Sequence, residues 1–132
     1  MYEELRMRGR RGLSQTIEDY LTEWSDRTGI TVEVWALPTD RVPTPVADAV
    51  YAVLQEALSN VESHSGAHTL SLALTTSRTG LKLTISDNGV GFTPGTRAGR
   101  GLDLMKRRFS EVGGTLTVNS VVGEGTTITG HI

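Results

Sequence analysis

Three positions in the stretch LQEALSNVESHSGAH share one line on a helix: Glu56, Asn60 and Ser63, spaced four and three apart. A glutamate and an asparagine one turn apart offer oxygen ligands to a hard cation such as magnesium, or a base that orients a water. The same pattern also describes an ordinary solvated helix face. His64 lies four residues after Asn60, where a helix-end histidine commonly caps carbonyls. His64 and His68 stand four residues apart, but His68 falls at a turn and His131 at the terminus, and no cysteine completes a ligand set, so a zinc site is not expected.

A second group is the run Asp87-Asn88-Gly89-Val90-Gly91-Phe92. Asp87 follows an alternating segment, so it emerges at a strand end, where a carboxylate can face a cleft. The glycines let the backbone lie close against a flat ligand. An ionised carboxylate accepts hydrogen bonds and donates none. It suits the exocyclic amino group of adenine and repels the carbonyl that guanine carries there. Further on, Gly99-Arg100-Gly101 precedes an amphipathic segment. A glycine turn that feeds a helix start presents unpaired N–H groups to phosphates, and Arg97 and Arg100 add charge nearby. The spacing fits neither G-x-x-x-x-G-K-[ST] nor the dinucleotide G-x-G-x-x-G. By itself, a D-x-G-x-G run is also consistent with a plain turn.

Helices and strands must bring these groups together. Leu13, Ile17, Tyr20, Leu21 and Trp24 predict a first helix, capped by Ser14 and ended by Gly29. Ile30, Val32 and Val34 alternate with polar neighbours as a strand with one buried face. Thr44 as cap and Pro45 as first helical residue open a second helix, whose apolar stripe runs from Val46 through Val50, Val53, Leu54 and Leu58 to Val61. Leu70, Leu72 and Leu74, then Leu81, Leu83 and Ile85, alternate on either side of the turn SRTG as a hairpin. A third helix begins near Gly101, buries Leu102, Met105, Phe109 and Val112, and stops at Gly113-Gly114. A last hairpin pairs Thr115–Ser120 with Thr126–Ile132. The expected fold is α+β: a two-layer sandwich with a mixed, mostly antiparallel five-stranded sheet covered on one face by three helices.

Composition narrows the function. Thirteen Lys+Arg against fifteen Asp+Glu give a net charge of −2, so no global basic field gathers nucleic acid. The absence of cysteine excludes disulfides and thiolate metal sites, and suits a reducing cytosol. No apolar run approaches the ~20 residues of a membrane helix. The start MYEELRMRGRRG lacks the apolar stretch of a secretory signal.

Taken in order, these motifs resemble the ATP-binding domain of sensor histidine kinases, in the GHKL superfamily shared with gyrase-type ATPases and heat-shock chaperones. LQEALSNVESHSGAH resembles the N box, DNGVGF the G1 box, GRGLDLMKRR the G2 box and GEGTTI the closing Gly-Thr motif. The lead-in RTGITVEV and VPTPVADAVYAVLQEAL are similar to the subfamily that partners response regulators with a helix-turn-helix output. The resemblance spans residues 12–132.

The resemblance implies ATP and Mg²⁺ as cofactors. It implies that Asn60 binds Mg²⁺ between the phosphates and that Asp87 reads adenine, with Thr126 steadying Asp87 or a bridging water. Gly89 and Gly91 would let the loop lie against the base. Gly99 and Gly101 would flank the phosphate turn, with Arg100 and Leu102 beside them. Glu56 falls where gyrase-type ATPases keep a water-activating base, and 93–98 would form a short lid. Relatives commonly carry a basic residue where this chain has Ser63, after Glu62. The phosphoacceptor histidine of such kinases lies in an upstream dimerisation domain, which is the expected partner together with a response regulator. Residues 1–11 are then read as a connector from that domain, and 12–132 as a cytoplasmic, monomeric ATP-binding unit. An anti-sigma-factor-type serine kinase and a non-catalytic nucleotide-binding module are the alternatives.

Overall fold

The computed structural model describes residues 12–39, 41–90 and 97–132; the proposed connector 1–11 lies outside them. Helix α1 (Gly12–Thr28) buries Leu13, Ile17, Leu21 and Trp24. It ends where the Gly29 N–H bonds the Ser25 carbonyl at 2.9 Å, with φ at 78°, a left-handed conformation that favours glycine. Ser14 is not its cap. The helix already begins at Gly12, and the Ser14 hydroxyl donates to the Pro38 carbonyl at 2.6 Å, tying α1 to the segment beyond the first strand.

That strand, β1 (Thr31–Ala36), departs from expectation. Val32 is half-buried, but Val34 is 43% exposed and Trp35 73% exposed. The reason is its place: β1 is an edge strand, and its register shifts between Val34 and Ala36. An edge strand has a neighbour on one side only, and the irregularity turns its end away from the core.

Helix α2 (Thr44–Asn60) opens with Pro43 at the cap position and Thr44 already helical. Its predicted stripe holds: Val50, Val53, Leu54, Ala57 and Leu58 are fully buried. The helix then widens into a π turn (Val61–Ser65) closed by Gly66 at φ 65°. Strands β2 (Thr69–Ser77) and β3 (Gly80–Asp87) form the expected hairpin. Helix α3 spans Arg97–Ser110, beginning four residues before the expected start at Gly101. Strands β4 (Thr115–Val121) and β5 (Gly125–His131) close the chain.

The sheet order is β1-β2-β3-β5-β4, with β1 parallel to β2 and every other pair antiparallel. Leucines at 70, 72, 74, 81, 83 and 116 are buried on the helix-facing side. The other side carries Ser71, Thr84, Thr117 and Thr129, partly or fully exposed. One covered face and one wet face make the predicted two-layer sandwich.

The layers meet most tightly at Gly130. A side chain there would come within 2.9 Å of Cδ2 and Cζ of Phe109, which is fully buried. Gly130→Ala should therefore overpack the core and cost about 1–3 kcal/mol. Phe109→Leu should relieve that clash, so the double variant should lose less than the sum of the single losses. Urea denaturation of the four proteins checks this; strict additivity would contradict the contact.

Candidate functional site

The helix-facing row at one end of the sheet changes from apolar to polar. Leu70, Asp87, Thr126 and Ser120 stand directly opposite one another on β2, β3, β5 and β4. Leu70 is fully buried, so the row faces the helices. Asp87 is thus placed at the strand end as expected, half-buried, with its carboxylate on the covered side. Its Oδ1 accepts the Gly89 N–H at 2.8 Å, and the Thr126 N–H donates to the same carboxylate. Burial pushes this carboxyl above its usual value, and the two N–H bonds offset only part of that push. Beyond Asp87, the Thr126 and Ser120 hydroxyl oxygens lie 3.0 Å apart.

The loop after Asp87 is held from both sides. The Asn88 side-chain oxygen accepts the N–H groups of His68 and Thr69, both at 3.0 Å. The Val90 carbonyl accepts the Gly123 N–H at 2.7 Å. Gly125, at φ 116°, sits against the Asp87 carbonyl, and a side chain there would also come within 3.2 Å of the Asn88 Cα. The glycine of the closing motif is thus required by close approach, and it brings Thr126 to Asp87. Sequence reasoning credited this loop only with freedom. It missed the clamp made by Asn88 and the position of Ser120.

On the helix layer, Glu56 and Asn60 share a line on α2 and are partly buried. Both border Gly101 of α3. A side chain at 101 would run into the Glu56 carboxylate, with its Cδ at 3.2 Å, and would stand 3.3 Å from Asn60 Nδ2. The fold therefore brings Glu56, Asn60 and Gly101 together. Gly99 and Gly101 do not precede the helix; both lie inside α3. The Leu102 side chain belongs to the core. Gly91, most of the expected lid and the Arg100 side chain lie outside the described residues.

Glu62 has a definite structural task. Its carboxylate accepts Arg27 Nη1 at 2.9 Å, Arg27 Nη2 at 3.2 Å and Trp24 Nε1 at 3.1 Å. The Arg27 bond above all holds its carboxyl below the usual range. Its charge is matched by α1, and Ser63 beside it is exposed. No cluster of three or more His, Cys, Asp or Glu side chains able to hold a metal occurs among the described residues. A cation here would draw on the amide oxygen of Asn60, with Glu56 nearby. That oxygen set suits Mg²⁺, which keeps most of its shell as water and substrate phosphate.

Comparison with known proteins bears on the family and the fold. Residues 46–132 match the family described as histidine kinase-, DNA gyrase B- and HSP90-like ATPase. The chain is 36% identical over 120 residues to the sensor histidine kinase LiaS of Bacillus subtilis, covering 89% of this chain and 33% of LiaS. It is 36% identical over 124 residues to the sensor histidine kinase MctS of Rhizobium johnstonii, covering 89% and 27%. It thus spans about a third or less of the length of these relatives. The histidine kinase domain of a blue-light activated kinase from Erythrobacter litoralis superposes with a TM-score of 0.73 at 21% identity, covering 91% of this chain and 60% of that one. Full-length ShkA in complex with AMPPNP gives 0.68 at 19% identity, covering 92% and 29%. At these identities the superpositions establish the fold.

Burial of Asp87 has a consequence for stability. A raised folded pKa means the native state binds this proton more tightly than the unfolded chain does. The Asp87 contribution is therefore best below the ordinary carboxylate value and declines as pH rises through the folded one. Relative to Asp87→Asn, the wild-type chain should lose stability over the acid-to-neutral range. Urea midpoints of both proteins across that range check it; a gap independent of pH would contradict the buried carboxylate.

Proposed function

We propose that this chain, which belongs to the histidine kinase-, DNA gyrase B- and HSP90-like ATPase family, holds Mg-ATP for transfer of its γ-phosphoryl to a histidine on a separate dimerisation domain. The family and its sensor histidine kinase relatives make the chain an ATP-binding catalytic domain. The residue roles, the metal and the partners are our reading.

One observation carries it. Asp87 keeps a half-buried carboxylate on the helix-facing side of a strand end, fixed by two backbone N–H groups. A carboxylate has about four acceptor sites, so two such bonds leave capacity for a ligand N–H. The adenine amino group fits that acceptor, and Gly89 keeps the approach open. At the far end, Asn60 offers its amide oxygen to Mg²⁺, which neutralises phosphate charge when bound. The close packing at Gly101 holds Asn60 and Glu56 over the first turns of α3. Glu56 is the acid–base group one turn from Asn60, beside Gly101. Phosphoryl transfer demands little covalent chemistry from the protein, so positioning and charge are what these residues supply. The bond from the γ-phosphorus to the bridging oxygen breaks, a phosphorus–nitrogen bond forms on the acceptor histidine, and ADP leaves. A response regulator then receives the phosphoryl group from that histidine.

Calorimetric titration with ATP and GTP, each with and without Mg²⁺, tests the reading. ATP should bind in preference to GTP. Asp87→Asn should weaken ATP by about 10- to 150-fold, the worth of a charge-assisted hydrogen bond of ~1.5–3 kcal/mol. Near-wild-type affinity would remove the adenine assignment.

Asn60→Ala isolates the metal. It should weaken ATP mainly when Mg²⁺ is present, and change little in a chelator. An equal loss in both conditions would refute a metal role for Asn60.

A further inference from the structure

We infer that Ser120 is a positioning residue for nucleotide selection: it fixes the proton direction of the Thr126 hydroxyl beside Asp87. The inference rests on the adenine reading proposed above and extends it to the second polar atom of the base edge.

Asp87, Thr126 and Ser120 are successive members of one cross-strand row. Residues directly opposite in antiparallel strands point to the same face, so all three side chains face the helix layer. Thr126 is fixed twice. Its N–H donates to the Asp87 carboxylate, and its hydroxyl oxygen lies 3.0 Å from that of Ser120.

The chemistry of the base edge sets what this row must do. Adenine presents a donor, its amino group, next to an acceptor, ring nitrogen N1. Asp87 answers the donor. An ionised carboxylate has no proton to give N1. Within the row, the side chain next to Asp87 that carries a proton is Thr126. A hydroxyl has one proton and two lone pairs. When Ser120 donates to Thr126, the Thr126 proton is directed outward, toward N1. When Thr126 donates to Ser120, it shows the ligand lone pairs alone. That second arrangement suits guanine, whose N1 carries hydrogen. A direct bond to adenine N1 thus requires Ser120 as donor and Thr126 as relay. Without the Ser120 hydroxyl, Thr126 rotates between both arrangements and distinguishes less between them.

The probe is 1-deaza-ATP, which keeps the amino group and replaces N1 by C–H. Wild type should bind ATP about 2- to 10-fold more tightly than 1-deaza-ATP, the worth of one net hydrogen bond. Ser120→Ala should bring that ratio close to one while still binding ATP. Ser120→Thr and Ser120→Val have the same shape, and both suit a strand. The threonine variant should keep the ratio and the valine variant should lose it. Equal weakening of ATP and 1-deaza-ATP in Ser120→Ala and Ser120→Val would mean that Ser120 only supports the strand, and would overturn the inference. So would a wild-type ratio of one; if ATP were then still preferred over GTP, the Asp87 reading would stand alone. Wild type that bound no ATP would overturn both.

Discussion

Desolvating the Asp87 carboxylate opposes its charge, and much of the surrounding structure serves to hold it there nonetheless. Two backbone N–H groups meet it, from Gly89 and Thr126. For Thr126 to reach it, β5 must approach β3 where any side chain at position 125 would strike the Asp87 carbonyl. For Gly89 to reach it, the chain must turn at once after the strand, and Asn88 anchors that turn on the start of β2. Glycines that look like slack in the sequence are thus the conditions for a fixed, partly dehydrated acceptor. Such an acceptor discriminates between ligands because an unmatched buried charge is expensive and a matched one is not.

The helix layer obeys a similar rule of close approach. Glu56 and Asn60 stand on α2 where α3 crosses it at Gly101, and the missing side chain at 101 is the space that their polar groups occupy. Immediately after Asn60 the helix adds a π turn, a distortion often found at functional sites. Trp24 and Arg27 of α1 hold that turn through Glu62. The acidic residue next to Ser63 is thereby matched within the protein. The negative charge beside Ser63 is thus not left free to repel a phosphate.

Much of this was legible in the sequence, where a period met a core. The stripe of α2 and the alternation of Leu70–Leu74 and Leu81–Ile85 defined helix, strands and buried face, because burial forces period 3.6 or 2. The motifs also singled out Asp87, which stands at a strand end, and Glu56 and Asn60, which share a line on α2 beside Gly101. Failures came where tertiary neighbours decide. Ser14 has the chemistry of a cap but finds Pro38 instead. Val34 alternates like a core residue, yet β1 lies at the sheet edge. Helix α3 takes in both Gly99 and Gly101, against their low propensity, since Leu102, Met105 and Phe109 fasten it to the sheet. Ser120 carried no signal of its own; only the register of the last hairpin brings it to Thr126.

Register is also what links stability to chemistry here. Along the helix-facing side, the row Leu74–Leu83–Gly130–Leu116 is followed by Leu72–Ile85–Ile128–Val118, and then by Leu70–Asp87–Thr126–Ser120. The outward rows between them hold Ser71–Ser86–Thr127–Asn119 and Ala73–Thr84–Thr129–Thr117. A slip of one residue in β3 would expose Leu81, Leu83 and Ile85 and turn Asp87 to the wet face. The cost of exposing three buried aliphatic side chains, about 1.5–3 kcal/mol each, therefore also guards the direction of one carboxylate. The apolar rows need no knowledge of the ligand, and the polar row contributes little to the core. Because both lie on the same strands with period two, the forces that fold the sheet also aim the site.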